Sequence, residues 1–336
     1  MNLFGKNLDT EIAVIAEIGV NHEGDVEVAS RLLRLAAEAG ADAAKFQSYT
    51  PGRFISAADQ ERFARVTRFG LDEAAHRRLA KEAGELGIAF LSTAVTEDWV
   101  PLIAELSSAI KIASGDLDFE VVIRKAARTG RTVILSTGLG TVEEIDSAVD
   151  WIRDEIGADA LADRLVLMHC VSAYPVPLEE ANLLAIPFLA ARYGVPAGYS
   201  NHVIEPDVCI AAAALGASVI EVHFTDRREG RTFHDHALSF EPSDLARLVG
   251  MAPRIRAARG ACAKDRMACE LPNLKAVRKG LVAARDLETG AVLERADIMF
   301  ARPANEFSAT ELDMVVGKRL NAPLQRGDAL RRDIIS

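Results

Sequence analysis

The sequence lacks the marks of several protein classes. Its four cysteines, Cys170, Cys209, Cys262 and Cys269, are scattered over 336 residues with no C-x-x-C pair and no framework spacing. That excludes a zinc knuckle and a disulfide scaffold. The longest apolar stretch, Val208 to Leu215, is far too short to span a bilayer. Met1 to Thr10 contains no basic segment followed by an apolar one, the pattern a secretory leader needs. The expectation is a soluble, reduced, cytoplasmic protein. Positive charge is also short: the formal net charge is −10, which argues against a nucleic-acid or anionic-membrane partner, since both require a basic face. No low-complexity tract is present.

What is there is a globular composition, 49% hydrophobic and 26% charged, in a chain about twice the modal domain length. The charge is uneven. Residues 275–336 carry eleven basic and nine acidic groups, which leaves −12 on residues 1–274.

Short apolar runs alternate with segments of helical periodicity through eight cycles. The candidate strands are Ile12 to Glu17, Ala43 to Gln47, Ile88 to Ser92, Ala109 to Ile112, Thr132 to Ser136, Leu165 to His169, Pro196 to Tyr199 and Ser218 to His223. Helix punctuation supports the count. Asp25 can cap a helix with an Ala29, Leu32, Leu33, Ala36 stripe that Gly40 ends, and Thr141 with Glu144 reads as a capping box. Near-continuous apolar strands joined by helices require a covered parallel sheet, and eight of them close a (β/α)₈ TIM barrel of about 250 residues. The predicted organisation is a barrel over 1–260, a linker over 261–274 and a small, mostly β module over 275–336. Within that module Leu281 to Ala284, Ile298 to Ala301 and Asn321 to Leu324 look like strands.

In such a barrel the chemistry sits at the C-terminal strand ends. Those ends carry Glu17; Lys45 and Gln47; Ser92 and Thr93; Lys111 and Ser114; Ser136 and Thr137; His169, Ser172 and Tyr174; Ser200 and His202; Glu221 and His223. Any one could be an ordinary cap or turn residue; eight together favour one polar mouth.

Lys45 and Lys111 lie within apolar strands, where a lysine must find an anion or lose its proton. A structural carboxylate such as Glu17 or Glu221 could be that anion. A ligand is the alternative: Lys111 is followed by Ser114-Gly115, and Ser136-Thr137-Gly138 is a second hydroxyl and glycine turn leading into a helix, the elements of a phosphate cradle. His202 and His223 follow neighbouring strands and could share a first-row divalent metal at an open site, or be ordinary hydrogen-bonded histidines. His234-Asp235-His236 also looks like a ligand cluster, although Asp235 could equally face a substrate.

The stretches Ala16-Glu17-Ile18-Gly19-Val20-Asn21-His22-Glu23-Gly24, Lys45-Phe46-Gln47, Lys111-Ile112-Ala113-Ser114-Gly115-Asp116, His169-Cys170-Val171-Ser172-Ala173-Tyr174-Pro175, Gly198-Tyr199-Ser200-Asn201-His202 and Glu221-Val222-His223-Phe224 resemble the sialic acid synthase (N-acetylneuraminate synthase) family. The tail from Leu281 to Pro303 resembles that family's C-terminal SAF (antifreeze-like, β-clip) domain. The resemblance implies condensation of phosphoenolpyruvate with an N-acyl-mannosamine-type sugar aldehyde, giving a nonulosonic 2-keto-3-deoxy acid and phosphate. It makes Lys45, Thr93, Lys111, Ser114, Ser136 and Ser200 phosphoenolpyruvate contacts. It makes His202 and His223 ligands of a divalent cation, manganese with magnesium or cobalt as alternatives. Glu17 and Asp116 would handle the water that adds to C2, and Glu221 a proton beside the metal. Gln47, Ser172, Tyr174 and Asp235 would line the substrate site. Arg302 would reach a partner's sugar in a domain-swapped homodimer.

The chain departs from the family's usual pattern at Ala173, Asn201, Val222 and Asn305-Glu306. These positions are expected near the sugar or the tail, which points to a shifted acceptor such as a legionaminic, pseudaminic or non-acetylated precursor. Two rival readings remain: an aldolase forming an imine on Lys45 or Lys111, and a non-catalytic carbohydrate-binding protein.

Overall fold

A computed structural model describes residues 1–336. It divides into two units, Met1–Gly260 and Ala261–Ser336. The first is a closed barrel of eight parallel strands: β1 (Ala13–Gly19), β2 (Ala43–Ser48), β3 (Ala89–Ala94), β4 (Ala109–Ile112), β5 (Thr132–Ser136), β6 (Leu165–Cys170), β7 (Ala197–Asn201) and β8 (Val219–His223). Strand β8 closes on β1 with Glu221 beside Ile15 and His223 beside Glu17. Helices α1 (Val26–Glu38), α2 (Gln60–Phe69), α3 (Glu73–Leu86), α4 (Val100–Leu106), α5 (Glu120–Arg128), α6 (Val142–Ile156), α7 (Ala185–Tyr193), α8 (Asp207–Leu215) and α9 (Pro242–Arg259) belong to the same unit.

The caps read from sequence are in place. The Asp25 carboxylate accepts from the backbone N–H groups of Glu27 and Val28, and Gly40 has φ +83°. Thr141 and Glu144 form a reciprocal capping box at α6, which satisfies donors that a helix start otherwise leaves free.

Strand alternation decides what each residue faces. One set, including Val14, Ala16, Phe46, Phe90, Ile110, Leu135, Leu167 and Val222, packs outward in the core shared with the helices. The other set fills the barrel and is sorted by height. Ala13, Ile15, Ala43, Leu91, Ala109, Ile134, Val166, Met168 and Val219 form an apolar layer. The next inward positions along the strands are Glu17, Lys45, Thr93, Lys111, Ser136, Ser200 and Glu221, all buried.

Two elements were not anticipated. A hairpin pairing Asn2–Leu3 with Lys6–Asn7 precedes the barrel, and its Leu3 together with Leu8 joins the apolar layer. Between β2 and α3 the chain makes the short turn Pro51–Phe54 and then α2.

The second unit holds one antiparallel pair, β9 (Gly280–Ala283) with β10 (Ile298–Ala301), over its own core of Leu281, Leu287, Leu293, Phe307, Val315, Leu320, Leu330 and Ile334. The expectation of a strand at Asn321 to Leu324 is corrected: only isolated bridges form there, at Leu320 with Ile335 and at Leu324 with Leu287. The preceding segment is helical turns, Ala268–Asn273 and Leu274–Val277, which lack periodicity because none of their residues is buried.

Two glycines separate packing from propensity. A Cβ at Gly198 would collide with Met168 Sδ and lie 2.6 Å from the Val219 carbonyl oxygen, whereas one at Gly84, exposed on α3, meets nothing. Gly198→Ala should lower unfolding free energy by about 1–3 kcal/mol, and Gly84→Ala should raise it by up to about 1 kcal/mol. Urea denaturation of the two variants checks both signs.

Candidate active site

The polar layer opens into a cavity of about 550 Å³ lined by Glu17, Lys45, Gln47, Thr93, Lys111, Ser114, Asp116, Ser136, Ser172, Tyr174, Ser200, His202, Glu221, His223 and Asp235. Every barrel residue to which the family resemblance assigned a role therefore faces one space, whereas Ser92 and His169, also marked as strand-end candidates, turn away to Ser48 and to the Ala181 carbonyl. Arg302 belongs to the second unit, directly after β10. A neighbouring depression of about 700 Å³ is walled by Leu139, Val142, Leu184, Phe188 and Leu189. It has few ionisable groups and is not where the chemistry converges.

At the floor the Lys45 ammonium lies 2.7 Å from Glu17 Oε2 and 3.5 Å from Glu221 Oε1, and it donates to Thr93 Oγ1 at 3.0 Å. Burial works against the charge on Lys45, but the two carboxylates outweigh it and raise its pKa. The carboxylates diverge. Burial pushes Glu17 up, with Lys45 only partly opposing. Glu221 is equally buried, but Lys45 and Lys111 together with the Ser200 hydroxyl hold it low. Two acids whose environments separate their pKa values are suited to opposite proton roles. Gln47 Nε2 donates to Glu17 Oε1 at 3.4 Å and fixes its orientation.

Lys111 differs from Lys45. Its Nζ donates to the Ile112 carbonyl at 2.8 Å and to Ser136 Oγ at 2.5 Å, with no carboxylate in an ion pair, and burial depresses its pKa. It shares the cavity with the hydroxyls of Ser114, Ser136 and Ser172. The Gly138 N–H donates to Ser114 Oγ at 3.0 Å, and a Cβ at Gly138 would collide with Ser172 Oγ and sit 2.8 Å from Ser114 Oγ. Only glycine lets these hydroxyls close in. Ser172 Oγ is buried with no hydrogen-bond partner. An unpaired buried cation beside an unused hydroxyl forms a receptor for an anion such as phosphate.

His202 and His223 lie with ring centroids 5.3 Å apart, and the Tyr174 ring sits 4.2 Å from that of His202. His202 Nδ1 is 2.8 Å from the Val171 carbonyl, which leaves Nε2 as the lone-pair nitrogen. His223 Nδ1 is buried without a partner, and burial with the neighbouring His202 depresses its pKa far below the usual imidazole value. Burial opposes charge on His202, but the Cys170 sulfur and the Val171 carbonyl outweigh it and raise its pKa. With its proton displaced, His202 together with the neutral His223 would offer two ring nitrogens that fit an open divalent-metal site. No group of three His, Cys, Asp or Glu side chains is positioned around a cation, so the remaining positions would fall to water or substrate.

The His234-Asp235-His236 cluster is divided by the fold. Asp235 enters the cavity, 2.6 Å from His234 Nδ1. His236 faces away, with Nδ1 2.7 Å from Thr225 Oγ1. Asn21 and His22 are structural: Asn21 Nδ2 donates to the Phe224 carbonyl, tying the loop after β1 to β8, and His22 Nδ1 accepts from the Gly24 N–H.

Two of the departures, Val222 and Asn201, do not face the sugar end, contrary to expectation, and Asn305 lies in the tail as expected. Val222 points outward into the helix-covered core. Asn201 spends its amide on Tyr199 and Val203. Asn305 holds the Leu281 carbonyl and the Phe307 N–H inside the second unit. Alternation along β8 contained the Val222 result. Cavity residues missed from the sequence are Tyr49, Phe54, Arg62, Arg65, Phe69 and Phe233. The available signal was the run Gln60 to Phe69, with Val66 and Phe69 as its buried residues, in the connection that follows the C-terminal end of β2.

Comparison with known proteins bears on this arrangement. The NeuB family description matches residues 32–264 and the SAF domain description matches 278–334. The N,N'-diacetyllegionaminic acid synthase of Campylobacter jejuni is 35% identical over 91% of this chain and 94% of its own length. The synthase of the same name from Legionella pneumophila is 32% identical over 94% and 92%. A crystal structure of N-acetylneuraminic acid (sialic acid) synthetase from Leptospira borgpetersenii, in complex with citrate, superposes with TM-score 0.73 at 33% identity, covering 78% of this chain and 90% of that one.

Asp116 provides a check on the electrostatics. Burial pushes its pKa up to about 6 while Lys111 opposes. Ionising it therefore costs stability in the folded state: the cost is absent below pH 4, grows between about 4 and 6, and is complete above. Relative to wild type, Asp116→Asn should be more stable by on the order of 1–2 kcal/mol at pH 8 and no more stable at pH 4. Denaturant titrations at the two pH values measure the difference.

Proposed function

Because the chain belongs to the NeuB family, we propose that it is a synthase that condenses phosphoenolpyruvate with the open-chain aldehyde of an N-acyl-mannosamine-type sugar. The product is a nonulosonic 2-keto-3-deoxy acid, with phosphate released by C–O cleavage. The observation that carries this reading is Lys111, a buried ammonium without a carboxylate partner, facing Ser114, Ser136 and the unused hydroxyl of Ser172.

The cradle around Gly138 takes the phosphate, and Lys45 with Thr93 provides cationic and hydroxyl groups on the adjoining strands for the carboxylate. This fixes the enol carbon C3 towards the side of the cavity occupied by His202, His223 and Tyr174. When bound at His202 and His223, a divalent cation supplies Lewis-acid polarisation of the aldehyde oxygen. The C3 electron pair forms the new C–C bond to the aldehyde carbon, the aldehyde oxygen takes up a proton, and C2 is left cationic. Water adds to C2 and gives its proton to a carboxylate. Asp116 or Glu17 is the acceptor, and Gln47 holds Glu17 in place. Glu221, kept ionised by two lysines, stabilises positive charge developing at C2. The tetrahedral carbon then expels phosphate together with the former enol oxygen, its hydroxyl proton passes to the departing phosphate, and the carbon becomes the ketone. Tyr174 and Asp235 orient the sugar. A homodimer is part of this reading, and its check is the mass in solution.

The test is phosphate release from phosphoenolpyruvate with N-acetylmannosamine, its 2,4-diacetamido relatives and non-acetylated sugars, with and without chelator. Release should require sugar, stop with chelator and return with Mn²⁺. With ¹⁸O in the enol ester oxygen, the label should leave in phosphate. Retention of the label in the acid, or release without any sugar, overturns the reading. His202→Ala and His223→Ala should each lose about 10²-fold or more in kcat.

A further inference from the structure

The cavity contains two cations that the reaction above does not use. Helix α2 lines it with Arg62, Arg65, Val66 and Phe69, and the arginines, three residues apart, share one face of the helix. Arginines elsewhere on the barrel, such as Arg34, Arg78 and Arg192, are held in ion pairs. Arg62 and Arg65 are in none, and neither side chain donates a hydrogen bond within the protein. The Arg62 guanidinium lies 5.9 Å from the centroid of the Phe54 ring.

The helix that presents them is fixed. The Tyr49 hydroxyl donates to the Val66 carbonyl at 3.2 Å, and Phe69 packs edge-on to Phe233 with centroids 5.3 Å apart. Gly24, at φ +88°, has no room for a Cβ because the Arg68 carbonyl lies against it. The helix also borders the segment that carries Asp235: its Phe69 packs on Phe233, and Phe233, His234 and Asp235 line the same cavity as the two arginines.

The anionic groups of phosphoenolpyruvate are already matched by Lys45, Lys111 and the cradle. Two unpaired guanidiniums on a rigid wall beside Asp235 form a second anion receptor, and their planar donors fit a phosphate or a carboxylate in bidentate fashion. We propose that Arg62 and Arg65 bind an anionic substituent, a phosphate ester or a carboxylate, at the end of the acceptor sugar distal to its aldehyde. The inference rests on the proposed function for the identity of the acceptor. It differs from that reading in assigning this chain an acidic acceptor.

The experiment compares N-acetylmannosamine, its 6-phosphate and N-acetylmannosaminuronic acid with wild type, Arg62→Ala, Arg65→Ala, the double variant and Arg65→Lys. Phosphate release and calorimetric binding in the presence of phosphoenolpyruvate are the two readouts. One anionic sugar should exceed the neutral one in kcat/KM by at least about 10-fold, and which of the two does so identifies the group. The double variant should reduce that ratio by about 10- to 100-fold, Arg65→Lys less, and added salt should reduce it further. A wild-type preference for the neutral sugar, or a ratio that the double variant leaves unmoved, overturns the proposal while the proposed function stands. If no sugar yields phosphate, the proposed function fails and calorimetry decides. Affinity for an anionic sugar that falls about 10-fold in the double variant supports the receptor, and equal affinities in all variants overturn it.

Discussion

The site depends on a charge that the barrel cannot release to water. Lys45 projects from β2 into the interior, 3% exposed, and an ammonium there is tolerated only because two carboxylates and a hydroxyl surround it. That requirement fixes the neighbours. Glu17 comes from β1, in register with Lys45, Thr93 from β3 and Glu221 from β8, so the pair network crosses the seam where the barrel closes. Glu17 and Glu221 then cannot be equivalent, because the second lysine leans on Glu221. Lys111 is left without a carboxylate of its own, and this makes it available to a substrate anion.

Much of this was legible in the sequence because both relevant periodicities are local. Alternation along a strand and the identity of the residue at its end locate the inward polar layer without tertiary information, so Glu17, Lys45, Lys111, Ser136, His202 and Glu221 could be assembled in one mouth. Partner choice was not legible. Lys45 and Lys111 look alike in sequence, and only the barrel register separates the paired cation from the unpaired one. Helix α2 was hidden because its polar composition leaves few buried residues, Val66 and Phe69. Substitutions at Asn201 and Val222 read as changes near the sugar, but facing decides whether a residue meets a ligand, and these two face the protein.

The net charge of −10 turns away polyanions at long range. A small anion senses a different field, because Lys45, Lys111, Arg62 and Arg65 all line one cavity whose low-dielectric walls concentrate their effect. Bulk charge and site charge therefore act at different scales. The first governs what approaches the surface, and the second what stays in the mouth.

The hairpin at the start of the chain has a bearing on all of this from the opposite end of the barrel. Leu3 and Leu8 pack into the apolar layer with Ala13, Ile15 and Val219, so they act as a stopper beneath the charged groups. Together with the strand side chains of that layer they make the lower half of the barrel a packed hydrocarbon plug rather than a pore. Glu17, Lys45 and Glu221 therefore stand on an apolar floor, and the burial that works on all three has its source below them as well as beside them. Two leucines with no part in the chemistry thus belong to the foundation on which the charged layer rests.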